Sequence, residues 1–327
     1  MPDLLLCPPL REQVANYLEP RAAAIDAADE HIRDSLGFLN CEIIAAGQDG
    51  QRAHDAAGKG RHPNADLYHV AETISTAAAS SMSAAFSLWC HRMVLEYLGD
   101  APSDSYVGTS VLPSVLRNEM LGSTALAAAM AHHVSGAPLP VTWREEGGAI
   151  VLNGRITWAS NLFPPEFIMV TAAAHVDDGR EIVLAIPGDA PGVHIDPYPT
   201  LLALQATGSS SLSLENLRLS PQWLITDAFT PFINRVRPTF LLLQSSFCWG
   251  LAHRALVEAR GALRRTDDIF TPEVTALEEQ AECYAGAIHS GITNVRRYQE
   301  AGAVRDLVQI RLRCAQLTTA AVALEAK

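Results

Sequence analysis

Apolar residues recur with two different periods along this chain, and the change of period divides it. From Pro9 to Asn40, Leu10, Val14, Leu18, Ile25, Ile32 and Leu36 fall at roughly helical spacing, with Pro20 expected to kink or break the run. Leu67 to Leu98 reads as a second helical block, whose small-residue stretch TISTAAASSMSAAF allows close helix approach. Val111 to Met130 reads as a third, broken near Gly122. From residue 131 to 228 the pattern shortens, and Pro138, Pro140, Pro164, Pro165, Pro187, Pro191, Pro197 and Pro199 punctuate it. Strands are expected at Val141–Arg144, Ala149–Leu152, Arg155–Ala159, Phe167–Ala173, Glu181–Ile186, near His194 and at Ser211–Leu219. In the last of these, Leu212, Leu214, Leu217 and Leu219 change phase, which predicts a bulge or turn at Glu215-Asn216. Beyond 229, Phe240–Leu263 is apolar on every side and calls for other helices or another subunit around it. Thr271 and Pro272 look like the N-cap and first turn of a helix running to about Glu300, and Gly302 separates it from Val304–Ala326.

The fold class is therefore α+β. An all-α domain (1–130) precedes an antiparallel β domain (131–228) and an incomplete helix bundle (229–327). The stretch EGGAIVLNGRITWASN, Glu146 to Asn161, stands at its centre. Asn153-Gly154 reads as the turn of a tight hairpin, after which Ile156 and Trp158 share one buried face. Trp158 is then either a core residue or the wall of a binding site, and Ser160 either a turn residue or a hydroxyl serving that site.

Bulk composition narrows the function. A net charge of −12 argues against a nucleic-acid partner, and the 48% apolar and 18% charged content belongs to a chain with a sizeable core. The six cysteines show no metal-ligand spacing and read as reduced core thiols, so no metal site is expected. There is no basic leader, and no run approaches the roughly 18 apolar residues of a membrane span, so the expected location is cytoplasmic. The Gly-rich segment 47–66 lacks phosphate-loop spacing and reads as a connector. His91, among apolar neighbours, reads as a hydrogen-bonded core histidine, and His132-His133 as exposed turn residues.

Three segments, in this order, resemble the acyl-CoA dehydrogenase family. Leu152-Asn153-Gly154-Arg155-Ile156-Thr157-Trp158-Ala159-Ser160-Asn161 is similar to that family's "LNG-x-K-x-W-I-T-N". Ser210–Ile225 is similar to a later strand, and Gly250–Arg265 to its first bundle helix. The resemblance implies FAD bound between the β domain and the bundle, a homodimer or homotetramer, and oxidation of the CH–CH bond of an acyl-CoA. It places Trp158 and Ala159 beside the isoalloxazine ring and the Ser160 hydroxyl near flavin N5, with Ser160 in place of the family's Thr. Departures accompany it. The Thr-Glu-Pro and Gly-Ser-Asp segment has no counterpart in Ala128–Ser135, and two carboxylates follow Arg264-Arg265, where the family reaches the pyrophosphate. Val236–Leu241 holds no carboxylate to serve as base, and the sequence stops about where the family's other position for that base is expected to begin, so the catalytic residues are unknown. A flavin-dependent monooxygenase or oxidase of the same fold, and a non-catalytic relative, stay open beside the dehydrogenase.

Overall fold

The computed structural model describes residues 8–40, 65–263 and 269–326. In chain order the helices are α1 (Pro8–Leu18), α2 (Ala22–Asp26), α3 (32–40), α4 (Ala65–Ser80), α5 (Met82–Leu98) and α6 (Leu112–Leu116). They continue as α7 (Ala127–Ser135), α8 (Phe229–Leu263), α9 (Thr271–Thr293), α10 (Val295–Ala301) and α11 (Arg305–Glu325). The strands are β1 (Leu121–Thr124), β2 (Val141–Glu146), β3 (Ala149–Ala159), β4 (Phe167–His175), β5 (Glu181–Pro187), β6 (Val193–Ile195), β7 (Ser210–Leu219) and β8 (Leu224–Thr226). Contacts divide the chain into two compact units, one from residues up to Trp89 and from Pro238 onward, the other from Cys90 to Arg237.

The first unit is helical. The expected break at Pro20 is a 3₁₀ turn, Glu19–Arg21, and a second break follows α2, where Ala28 adopts φ 62°. Val14, Leu18, Ile25, Ile32 and Leu36 are fully buried, as their spacing predicts. The small-residue stretch does let helices meet closely. Ser75 Oγ donates to the Ser246 carbonyl at 3.1 Å, and a Cβ on Gly250 would overlap the Ser75 carbonyl oxygen and lie 2.9 Å from Ser75 Cα. An aromatic cluster of Phe86, Trp89, Phe240 and Phe247 fills the neighbouring space, with ring centroids 5.1 to 6.0 Å apart. Trp249 Nε1 donates to Ala281 O at 2.7 Å and Thr318 Oγ1 to Cys248 O at 2.7 Å, so α4, α9 and α11 all touch α8. That is why α8 is apolar through most of Phe240–Leu263, although Val257 and Glu258 reach solvent. It also starts earlier than Phe240, because Pro238 lies inside it. Burial of Phe232, Ile233 and Val236 holds the turns ahead of that proline, so tertiary packing overrides a local breaker. Thr271 is the first residue of α9 rather than its cap; Phe270 takes the cap position without a side-chain hydrogen bond. Cys90 and Cys314 are buried core thiols and Cys248 is half-buried, but Cys283 is exposed, because Ala281 and Ala285 carry the buried face of its helix. Cys7 and Cys41 lie outside the described residues, as does most of the Gly-rich segment.

The second unit holds one eight-stranded sheet in the order β6-β7-β3-β2-β4-β5-β8, with β1 added beside β4. It is mixed rather than wholly antiparallel, since β1 and β2 each run parallel to β4. The break foreseen at Gly122 is this strand β1. Gly122 N–H donates to His91 Nδ1 at 3.1 Å, and Asn161 Nδ2 donates to the Gly122 carbonyl at 3.0 Å. A Cβ there would come within 2.6 Å of Val94 Cβ, so only glycine lets the strand lie against α5. His91 is thus a buried, hydrogen-bonded core residue.

Asn153-Gly154 is not a turn. β3 runs unbroken from Ala149 to Ala159, and the hairpin tip is Gly147-Gly148, with φ 60° and 76°. Two successive glycines satisfy the positive φ of a tight turn better than Asn-Gly, which leaves Gly154 for another task. Its φ is 152°, and a Cβ would overlap the Pro140 carbonyl and sit 2.8 Å from Val141 Cα. The expected phase change in β7 is real: Leu152 pairs with Leu217 and Gly154 with Leu214, so Glu215-Asn216 forms a bulge opposite Asn153, with Asn216 at φ 48°. Gly154→Ala should therefore cost about 2–3 kcal/mol through overpacking against backbone, and Gly148→Ala only about 1 kcal/mol, from the left-handed φ of 76° alone, since nothing lies within 4 Å of its added Cβ. Urea unfolding of both variants checks the order; equal losses would contradict the assigned roles.

Candidate functional site

A second irregularity in the β3–β7 pair shapes the end of β3. Ile156 pairs with Leu212 and Ala159 with Ser210, so β3 carries one more residue than its partner across this interval. The extra residue turns Trp158 away from the buried face that Ile156 occupies. Ile156 is 4% exposed and Trp158 49%, although plain alternation puts both on one side. Ala159 and Ser160, at 2% and 3%, are buried again. The strand end thus presents an indole outward and draws a hydroxyl inward.

Around Ser160 the 204–209 loop is bound to the strand end. Asn161 N–H donates to Thr207 O at 2.7 Å and Leu162 N–H to Gly208 O at 3.0 Å. Asn161 takes φ 59°, which aims its side chain back at Gly122. Gly208 takes φ 52°, and a Cβ there would lie 2.5 Å from the Phe163 ring. Ser160 Oγ lies 2.6 Å from Ser209 Oγ, which lies 2.7 Å from Thr207 Oγ1. The Tyr198 hydroxyl donates to the Leu162 carbonyl, closing the loop from its other end. On β1, Ser123 is fully buried and its hydroxyl has no hydrogen-bond partner among the described residues, the condition of a group that a ligand or water satisfies. Within β3, Arg155 pairs with Asp196, whose carboxyl is held below its usual range by Ser211 and by that arginine. A separate cleft of about 340 Å³, lined by Trp143, Arg180, Leu224 and Asp227 among others, contains none of residues 158–160.

Other positions singled out by sequence fall as follows. Val236, Thr239 and Leu241 are buried, and burial lowers the Arg237 pKa; the segment brings no carboxylate. Arg264 and Arg265 lie outside the described residues. His132 and His133 belong to α7, not to a turn. His132 Nδ1 lies 2.6 Å from the Ala137 carbonyl, its Nε2 meets the Glu181 carboxylate, and its ring packs against Phe229 at 5.6 Å. Sequence reading missed this pair because the partners are 49 residues apart. It also passed over Glu72, the one buried carboxylate among the described residues, which sits 3.6 Å from His69 Nδ1 one turn earlier on α4. Among the described residues no group of three or more His, Cys, Asp or Glu is placed to hold a metal ion, and no helix is long and apolar enough to cross a membrane.

No family model and no curated protein sequence matches the chain. Solved structures do. A probable acyl-CoA dehydrogenase from Mycobacterium abscessus superposes with a TM-score of 0.77 at 17% identity, covering 98% of this chain and 88% of that one. Butyryl-CoA dehydrogenase from Megasphaera elsdenii gives 0.70 at 14%, covering 97% and 92%. Dibenzothiophene monooxygenase from Paenibacillus sp. A11-2 gives 0.67 at 18%, covering 98% and 82%. The chain has the acyl-CoA dehydrogenase fold.

Both ring nitrogens of His132 face acceptors, which calls for the imidazolium. Burial lowers its pKa, but the Ala137 carbonyl and Glu181 outweigh that and hold it above the ordinary 6.5. A raised folded-state value adds stability that is complete below the unfolded value and lost as pH rises through the folded one. The stability difference between wild type and His132→Ala should therefore be larger near about pH 6 than near about pH 9. Urea midpoints across that range check it; a pH-independent difference would exclude the charged pair.

Proposed function

We propose that this chain is a FAD-dependent oxidoreductase acting on the CH–CH bond of an acyl thioester, and that Trp158, Ala159 and Ser160 form part of its flavin site. The observation that carries the reading is the half-exposed indole beside a buried hydroxyl at the end of β3, within this fold. These residues fit the cofactor. A rigid indole face suits a flat heteroaromatic ring, and Ser123, whose hydroxyl has no hydrogen-bond partner among the described residues, supplies a buried polar atom. When bound, FAD would supply the two-electron acceptor. The protein's share is to hold the ring flat against Trp158 and to fix its polar edge near Ser160.

A second reading has its own support. Removing a proton next to a thioester needs a positioned carboxylate in a dry site, and Val236–Leu241 offers none. A flavin-dependent monooxygenase or oxidase needs no such base, and dibenzothiophene monooxygenase shares the fold. In either case we propose a cytoplasmic homodimer or homotetramer assembled through the bundle, where Val257, Val308, Leu312 and Val322 are exposed apolar side chains.

The purified chain should be yellow or take up added FAD. Anaerobic acyl-CoA should bleach that flavin without another reductant; bleaching only by an added reductant favours the oxygen-using reading. Trp158→Ala should lower FAD affinity about fivefold or more in protein shown by circular dichroism to be folded, since a lost stacking face typically removes about 1 kcal/mol. Unchanged affinity would move the site elsewhere. Light scattering at micromolar concentration should give a dimer or tetramer; a monomer contradicts the assembly.

A further inference from the structure

The hydroxyls at the end of β3 form a chain with one direction. Thr207 Oγ1 lies 2.7 Å from the Leu204 carbonyl, which can only accept, so the single Thr207 hydroxyl proton points there. Thr207 Oγ1 also lies 2.7 Å from Ser209 Oγ, and having no second proton it accepts from Ser209. Ser209 Oγ lies 2.6 Å from Ser160 Oγ, and its own proton is already committed, so Ser160 donates to Ser209. Ser160, Ser209 and Thr207 are 3%, 4% and 1% exposed, so water does not compete for these protons. The loop geometry holds the order in place. Leu204 and Gly208 both adopt left-handed conformations, and the Asn161 and Leu162 amides bind the loop to the strand.

We infer that this relay makes Ser160 an acceptor towards whatever it faces, so that the site selects a ligand atom carrying a hydrogen. The inference rests on the flavin reading above and sharpens it: Ser160 would favour two-electron-reduced FAD, whose N5 bears a hydrogen, over oxidised FAD, whose N5 offers a lone pair. A hydroxyl donating outward from the same position would favour the oxidised form. Reversing Ser160 here means turning all three hydroxyls and taking the Thr207 proton from Leu204, which costs a buried hydrogen bond.

The test measures binding, not turnover. The full chain, stripped of flavin, is titrated anaerobically with oxidised FAD and with FAD reduced by dithionite, which supplies the two electrons. Wild type should bind the reduced form more tightly. Ser209→Ala removes the acceptor of the Ser160 proton, and Thr207→Val frees Ser209 to donate to Ser160; either change releases a proton outward. Each should shift the reduced-to-oxidised affinity ratio towards the oxidised form by about tenfold, or about 30 mV in the two-electron midpoint. A ratio unchanged within about twofold in both folded variants, while Ser160→Ala still alters flavin affinity, overturns the relay and leaves the flavin reading standing. If Ser160→Ala changes neither affinity nor the flavin spectrum, or if wild type binds neither form, the flavin reading at this position falls, and the relay's role towards flavin with it.

Discussion

The register of β3 on β7 is the constraint on which the second unit depends. Side chains alternate along a strand, so a slip of one residue exchanges the buried and exposed faces. Two bulges of opposite sense absorb this. The first gives β7 an extra residue at Glu215-Asn216, and the second gives β3 one between Ile156 and Ala159. Ile150, Leu152 and Ile156 stay in the core while Trp158 leaves it. Without the second bulge the indole would be one more core side chain, and the strand end would show a smooth surface with no aromatic face.

Much of this was legible in the sequence, and its limits are physical. The phase change among the β7 leucines located the first bulge, because four buried leucines leave few registers open. The second was hidden, since Arg155, Ile156, Thr157 and Trp158 alternate as an ordinary strand does. The Asn-Gly pair misled for a related reason: turn propensity is local, and Gly147-Gly148 six residues earlier met the same demand better, while Gly154 was needed where the Pro140 backbone passes close. β1 was invisible because four residues carry no period, and what makes them a strand is pairing with Phe167–Val170 far along the chain. The start of α8 was obscured by Pro238, whose local cost is offset by burial of residues on the preceding turns.

At the candidate site the identity of the residues could be read from the chain, but not their electrical sense. Nothing in Trp-Ala-Ser says whether the serine gives or takes a hydrogen. That depends on Ser209, Thr207 and a carbonyl brought in from a loop more than forty residues away. Likewise the His132–Glu181 pair exists only because α7 ends beside the start of β5. In both cases the chemistry resides in the juxtaposition of residues that look ordinary in isolation.

The peptide group of Gly122 has a wider consequence. β1 borders only β4, and at Gly122 its outward N–H and C=O are both occupied by side chains, from His91 and Asn161. The sheet ends proper, β6 and β8, are three residues each. Among the described residues, a strand approaching β1 at Gly122 therefore meets side chains rather than a free peptide group, and the strands that end the sheet are short, both of which work against edge-to-edge polymerisation of this valine- and isoleucine-rich sheet.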